Sequence, residues 1–590
     1  MTGFEISRLD FDHRSVRTWA PKSERHTNWP VVYVLDQGGN GSVQGLSDVY
    51  VGETLNAAAR LRQHLESASK KHLRTVRVVV DATFNKSVCL DLESYLIRLL
   101  AGDGALRVLN RNDGITEADY YDRDRYREAF RDVVEQLRRD GIFTRSVPEI
   151  ENSDLFKLSP FKALTQDQAV AVEDILEGLF ADLAADIPST TVIQGDPGTG
   201  KTVVAIYLLK LLADIARAAP SEDHEADSMF SDFFAPGYRE LLAGARVGLV
   251  VPQQSLRQSI KNVFRKTPGL SPGMVLTPFD VGLAGHDFDL LIVDETHRLN
   301  QRANQPSGVQ NRNFRVINER LFGSDDLAKT QLDWIRAKSK HQIFLLDAAQ
   351  SVRPADLPAD ALARLAAEAR STHRHYSLAS QMRVRAGSDY VGFIRAVLDG
   401  RPAYHPARRL TRADFGDYDF RMFESVAEMR DAIRKRDSEV GLARLVAGYA
   451  WEWKSKNDKS AYDIEIDGCQ LRWNSVPTDW IASPKALDEV GSIHTVQGYD
   501  LNYAGVIIGP DLRYDPVRNR LLIDRASYHD KKGKENNALL GKAYTDHDLL
   551  RFVSNIYAVL LTRGIQGTYV YACDPALRAY LSSRFPQDSR

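Results

Sequence analysis

Gly195-Asp-Pro-Gly-Thr-Gly-Lys-Thr202 fits G-x-x-x-x-G-K-[ST], and what surrounds it narrows the fold at once. Thr191-Val-Ile-Gln194 leads into it as a short strand. Val203-Val-Ala-Ile-Tyr-Leu-Leu-Lys-Leu-Leu212 follows, apolar enough for a buried helix. A strand, a glycine loop and a helix in that order form a phosphate-binding loop of an α/β fold. Gly195, Gly198 and Gly200 let backbone N–H groups approach phosphates, and the helix N-terminus adds a partial positive charge. Lys201 is placed to reach the β- and γ-phosphates, and Thr202 to ligate Mg²⁺.

A second motif completes the chemistry. Phe288-Asp-Leu-Leu-Ile-Val-Asp-Glu295 is an apolar strand ending in two carboxylates, as a buried parallel strand does at its carboxyl end. Asp294 is expected to hold Mg²⁺ through water, and Glu295 to orient and deprotonate the attacking water.

The bulk numbers set limits. A chain of 590 residues is too long for one core, and 43% hydrophobic with 26% charged residues is a globular composition. No apolar run approaches the roughly 18 residues a membrane span needs. The first residues lack a secretion signal, and Cys89, Cys469 and Cys573 are too scattered for a disulfide framework or zinc cluster. A cytoplasmic setting is expected. The formal net charge of −2 means that nucleic acid would be held by local patches.

Towards the N-terminus, residues 1–28 read as a polar, unpatterned extension. Pro30 to Asp36 and Asp48 to Glu53 then read as a hairpin, and Asn56 to Ser69 as a helix with Arg60 and His64 one turn apart. Val76 to Ala82 is a third strand. Leu90 to Leu100 is helical, with Glu93 beside its apolar stripe, and Asn110 follows. This series resembles the GIY-YIG nucleases. Val31-Val-Tyr33 stands where the family has Gly-Ile-Tyr, without the glycine, and Tyr50-Val-Gly52 where it has Tyr-Ile-Gly. The resemblance implies a metal-dependent endonuclease: Glu93 on Mg²⁺ or Mn²⁺, Arg60 on phosphate oxygens, Tyr33 as base, with Tyr50, His64 and Asn110 around them. Arg62, Lys70, Lys71, Arg74 and Arg77 add a basic track suited to a phosphate backbone.

From about residue 160 onward the chain resembles the DUF2075 family, related to the group III Schlafen helicase domain within superfamily 1. Besides the two phosphate motifs, the resemblance rests on Gln168, His341 to Gln350, Leu378 to Arg383, Ser492 to Asp500 and Tyr557 to Gly564. It implies that Gln168 reads adenine, that Asp347 and Gln350 sense the γ-phosphate, and that Arg383 contacts phosphate. It also implies that Gln497, Gly498 and Asp500 couple nucleic acid to the nucleotide, and that Arg563 is an arginine finger.

The expected architecture is α/β: two RecA-like parallel-sheet lobes, 161–365 and 366–590, preceded by a small α+β GIY-YIG domain at 29–146 and a linker at 147–160. Four tryptophans, Trp451, Trp453, Trp473 and Trp480, are expected in core packing, and Lys531 to Tyr544 as an exposed insertion. The function implied is an ATP-dependent helicase or translocase fused to an endonuclease, acting on DNA ahead of RNA in genome maintenance or phage defence. An ATP-driven clamp with a non-cutting N-terminal domain, and an RNA-directed helicase-nuclease, stay open.

Overall fold

The N-terminal sheet is built around Val31–Asp36, a strand buried along its whole length. Alternation explains this: Val32 and Val34 enter one core, while Val31, Tyr33 and Leu35 enter another on the opposite face. The computed structural model describes residues 3–38, 46–110, 119–218, 229–302, 305, 307–347, 352–380, 384, 387–400, 415–476, 480–496 and 499–585. Within them this sheet has the order Glu5–Asp10, Thr75–Val80, Val31–Asp36, Ser47–Thr54, Leu106–Val108. Its first three pairings are antiparallel and the last is parallel. Helices Lys86–Asp103 and Arg123–Arg139 cover one face, and His13–Trp19 and Ala57–Glu66 the other.

Two expectations here need correction. The N-terminal extension supplies the edge strand Glu5–Asp10 and a helix that buries Val16 and Trp19. An edge strand needs only a few inward side chains, so its pattern is faint. Residues 147–160 are not an extended linker either, since Val147–Glu151 and Asp154–Lys157 are short helices packed on Lys86–Asp103. Gly102 makes that contact possible: a Cβ there would lie 2.8 Å from Ile150 and Phe156 side-chain atoms.

Two larger sheets follow. The first has the order His375–Leu378, Ser189–Gly195, Ser339–Leu346, Phe288–Val293, Val247–Val250, Val275–Leu276, parallel throughout. The second runs Asp419–Met422, Gly564–Ala572, Leu501–Ile508, Ala443–Ala447, Glu489–Ser492, Cys469–Trp473, Ile464–Ile466, parallel except for its last pair. Central strands such as Phe288–Val293 and Ala443–Ala447 are buried along nearly their whole length, as sheets covered on both faces require. The two fit a pair of RecA-like lobes.

By compactness the chain divides into one unit of Met1–Glu173, Ile206–Ala243 and Ser259–Gly273, and a second of Asp174–Ala205, Gly244–Gln258 and Met274–Arg590. Both parallel sheets belong to the second unit. There, Trp473 and Trp480 are fully buried, and Trp451 and Trp453 pack partly buried on the core. The lysine-rich stretch is not simply exposed. Asn537 donates to the carbonyl of Arg302 at 3.3 Å, and the Tyr544 hydroxyl to that of Pro354 at 3.1 Å. No described helix is long and apolar enough to cross a membrane.

Candidate functional site

In the second unit the phosphate loop leaves strand Ser189–Gly195 and enters helix Lys201–Arg217. Its glycines are required by shape. A Cβ on Gly195 would sit 2.4 Å from the Thr199 hydroxyl and 3.2 Å from the Leu378 carbonyl oxygen. Gly198 and Gly200 have φ of +89° and +79°, where side chains are disfavoured. Lys201 is buried, and its ammonium donates to the carbonyls of Gly195 and Asp196 at 2.7 and 2.9 Å.

The neighbouring strands bring the acids in. Thr202 Oγ1 donates to Asp294 Oδ2 at 2.8 Å, joining the loop to the end of Phe288–Val293. Glu295 has φ +49°, a left-handed conformation costing about 1–3 kcal/mol outside glycine and concentrated at functional sites. Its carboxylate lies 3.0 Å from His297 Nε2 and 3.8 Å from Arg298 Nε. Burial, with the Glu295 charge added, pushes the Asp294 carboxyl above the ordinary carboxylate range. Burial works against an ionised Glu295 too, yet His297, Arg298 and Lys201 hold it below the ordinary carboxylate range. The threonine hydroxyl and aspartate oxygens are the hard donors Mg²⁺ takes, and the positive-φ glycines make the cradle a triphosphate needs. These residues fit both groups. His297 and Arg298 were not singled out by sequence, although only Thr296 separates them from the acidic pair.

The remaining expected residues stand as follows. Gln350, Arg383, Gln497 and Gly498 lie outside the described residues. Gln168, in the first unit, is buried, and its Oε1 accepts from the Thr165 amide at 3.1 Å. Asp347 is buried at the end of Ser339–Leu346. Asp500 is half-buried ahead of Leu501–Ile508. Arg563 is buried, its Nη1 donating to the Tyr499 carbonyl at 3.1 Å.

In the first unit, Tyr33 Oη and His64 Nε2 are 2.7 Å apart, and Lys70 Nζ lies 3.1 Å from His64 Nδ1. Burial first, then Lys70 and Arg60, lowers the His64 pKa to about 3, so its ring is neutral. With Nδ1 accepting from the Lys70 ammonium, the ring proton sits on Nε2 and is donated to the Tyr33 oxygen. Lys70 Nζ also lies 3.5 Å from the Tyr50 ring centre, a cation–π contact. Lys70 thus joins the cluster, which the sequence showed only as part of a basic track. Arg60 Nη1 donates to Gln63 Oε1 at 2.7 Å. Asn110 bonds both backbone groups of Val51, accepting at 3.0 Å and donating at 2.8 Å, and so fixes the Tyr50–Gly52 segment. Glu93 is buried on helix Lys86–Asp103, which packs on the sheet face opposite Tyr33. Among the described residues no group of three or more His, Cys, Asp or Glu side chains could hold a metal.

A family model described as Schlafen group 3, DNA/RNA helicase domain, matches residues 188–574. The uncharacterized protein YPL245W of Saccharomyces cerevisiae is 26% identical over 424 residues, spanning 67% of this chain and 84% of the yeast protein. ATP-dependent DNA helicase RecG of Aquifex aeolicus is 36% identical over 107 residues, which are 16% of this chain and 13% of RecG. Two structures of the arterivirus helicase, nonstructural protein 10, also match, the second in complex with DNA. They are 14% and 12% identical, with TM-scores of 0.25 and 0.23, over 69% and 70% of this chain and 64% of each of theirs. Scores that low carry no weight for the fold. The family match does carry weight: it spans well over half of the chain, from the phosphate-loop strand to Asp574, and leaves the N-terminal sheet outside. This chain belongs to the Schlafen group 3 DNA/RNA helicase-domain family, a helicase-type enzyme that uses ATP.

Proposed function

We propose that the second unit is an ATP-driven helicase or translocase acting on nucleic acid, DNA in preference to RNA, and that the N-terminal domain cuts phosphodiester bonds. The observation that carries the motor half is the 2.8 Å contact between Thr202 and Asp294, which unites phosphate loop and acidic strand end in one site. Thr202 and Asp294 would hold Mg²⁺, which would supply neutralising charge to the phosphates. Lys201 draws the β- and γ-phosphates inward. Glu295, held ionised by His297 and Arg298, takes the proton of the attacking water. Arg563 answers charge on the terminal phosphate from the second lobe. Gln350, Arg383, Gln497, Gly498 and Asp500 complete the nucleotide and nucleic-acid contacts.

For the cutting half, the support is the Tyr33–His64–Lys70 chain. It presents a phenol oriented by a neutral imidazole, beside the cations Arg60 and Lys70. Glu93 would hold the divalent ion, Mg²⁺ or Mn²⁺. A motor joined to a nuclease suits repair or defence against foreign DNA. The test is a cleavage and ATPase assay on duplex DNA, single-stranded DNA and RNA, with and without ATP. Wild type should show nucleic-acid-stimulated ATPase and metal-dependent nicking. Absence of both would sink the proposal.

A second reading keeps the motor and makes the N-terminal domain a non-cutting binding module. The placement of the Glu93 helix on the face opposite Tyr33 favours it, as does Val31 where the nucleases have glycine. Active ATPase with no cleavage of any substrate under either metal would select it.

A further inference from the structure

Arg395 has no role so far, and it stands at the phosphate loop. It lies on helix Gly387–Leu398, whose Tyr390, Phe393, Ile394 and Val397 fill the core of the second lobe, so that lobe fixes its position. Its guanidinium leaves that core and reaches the first lobe. Nη1 donates to Asp196 Oδ1 at 2.8 Å, and Nη2 lies 3.6 Å from Asp347 Oδ1. Asp196 is the loop residue after Gly195. Asp347 ends strand Ser339–Leu346, which pairs with the phosphate-loop strand in register Leu346↔Gln194. Arg395 therefore spans the carboxyl ends of two adjacent parallel strands, the place where sheets of this kind bind ligands. Lys201 donates to the backbone carbonyl of the same Asp196, so two cations converge on one loop residue.

The pair is also exchangeable. The Asp196 side chain is 54% exposed and that of Arg395 27%, and ion pairs this open are weak. A phosphate takes a guanidinium in the same forked geometry as a carboxylate and carries more charge.

We propose that Arg395 is a terminal-phosphate sensor supplied by the second lobe, its guanidinium passing from Asp196 and Asp347 to the γ-phosphate of ATP. The proposal rests on the ATPase reading and adds a residue that distinguishes ATP from ADP. Asp196 is the competitor in this exchange, so its removal has a defined sign.

The test is equilibrium binding of a fluorescent non-hydrolysable ATP analogue and of fluorescent ADP to the full chain, with ATPase kcat and KM alongside. Arg395→Ala should weaken the ATP analogue about tenfold and leave ADP within about twofold, with kcat falling on the order of 10²-fold. Arg395→Lys should recover part of both losses. Asp196→Asn should tighten the ATP analogue in the wild-type background and change nothing in Arg395→Ala. Equal affinities for both nucleotides in wild type and Arg395→Ala would overturn the proposal. So would equal loss of both nucleotides in Arg395→Lys with unchanged thermal melting. Lys201→Ala separates the two levels: wild type that binds nucleotide no better than this variant overturns the ATPase reading and the sensor together.

Discussion

The phosphate-loop site and the tyrosine–histidine cluster are assembled on opposite principles. At the loop, eight consecutive residues define the cradle, because its donors are backbone amides and its shape is set by glycine dihedral angles. In the cluster, Tyr33, Tyr50, His64 and Lys70 come from two strands, a helix and the segment beyond it, and side chains do everything. A site made of backbone is contiguous and tolerates change around it. A site made of side chains depends on packing across the sheet, so each member can be lost separately.

Lys201→Ala tests the first half of that contrast most severely. The backbone cradle stays, but the loop's own lysine directed at the phosphates goes, and ATP hydrolysis should fall on the order of 10²–10³-fold. Phosphate release with DNA and with RNA present measures this. A rate within threefold of wild type would break the claim that this loop is the hydrolytic site. Nicking without ATP should be untouched, which sharpens the separation of the two sites.

Glu93→Gln is the counterpart. Nicking of supercoiled DNA under Mg²⁺ or Mn²⁺ should drop about 10²-fold, with ATPase unchanged. If Glu93→Gln and Tyr33→Phe both cut like wild type, the cluster is structural and the non-cutting reading takes its place.

The motif glycines give a smaller effect with a different signature at each site. A Cβ on Gly52 would lie 2.2 Å from Tyr33 Oη, so Gly52→Ala must push a fully buried ring off His64. Overpacking of this kind costs about 1–3 kcal/mol, and it should lower the melting temperature and nicking together. A Cβ on Gly195 meets the Thr199 hydroxyl at 2.4 Å and the Leu378 carbonyl oxygen at 3.2 Å. Gly195→Ala should therefore weaken nucleotide binding more than it lowers melting. Matching profiles for the two variants would erase the proposed difference.

Much of this was legible in the sequence, and what was missed has physical causes. The phosphate loop and the acidic strand end announce themselves, since both chemistries need fixed residue types at fixed spacing. The hairpin of Val31–Asp36 and Ser47–Thr54 showed in its apolar runs. The edge strand Glu5–Asp10 did not, because a strand paired on one side needs little hydrophobic surface. Lys70 and Arg395 were illegible for another reason. A long flexible cation can reach several partners, and only the folded chain shows which one it meets. The insertion Lys531 to Tyr544 is largely exposed, as its lysine content signals, but the sequence did not show where it is tied down, since Asn537 and Tyr544 anchor it to backbone carbonyls.

The smallest expected effect concerns pH, and it separates the sites again. Burial, then Lys70 and Arg60, holds the folded-state pKa of His64 down at about 3, against an ordinary 6.5. The folded value is depressed, so the stability of a neutral His64 is fully present above 6.5 and is lost progressively as pH falls from 6.5 towards 3. Cleavage should therefore show no inflection near 6.5, with rates between pH 6 and 8 changing less than about twofold on account of this residue. The protection factors of the Val31–Asp36 amides against hydrogen exchange should fall below pH 6 in wild type and lose that slope in His64→Gln. Lys70→Ala sharpens the point. Removing the lysine takes away the second cause while leaving burial, the first, in place, so the acid limb should move up yet stay below 6.5. An inflection at 6.5 in wild type would mean that His64 is solvated and charged during cutting, and the hydrogen bond that its Nδ1 accepts from Lys70 would have to be abandoned.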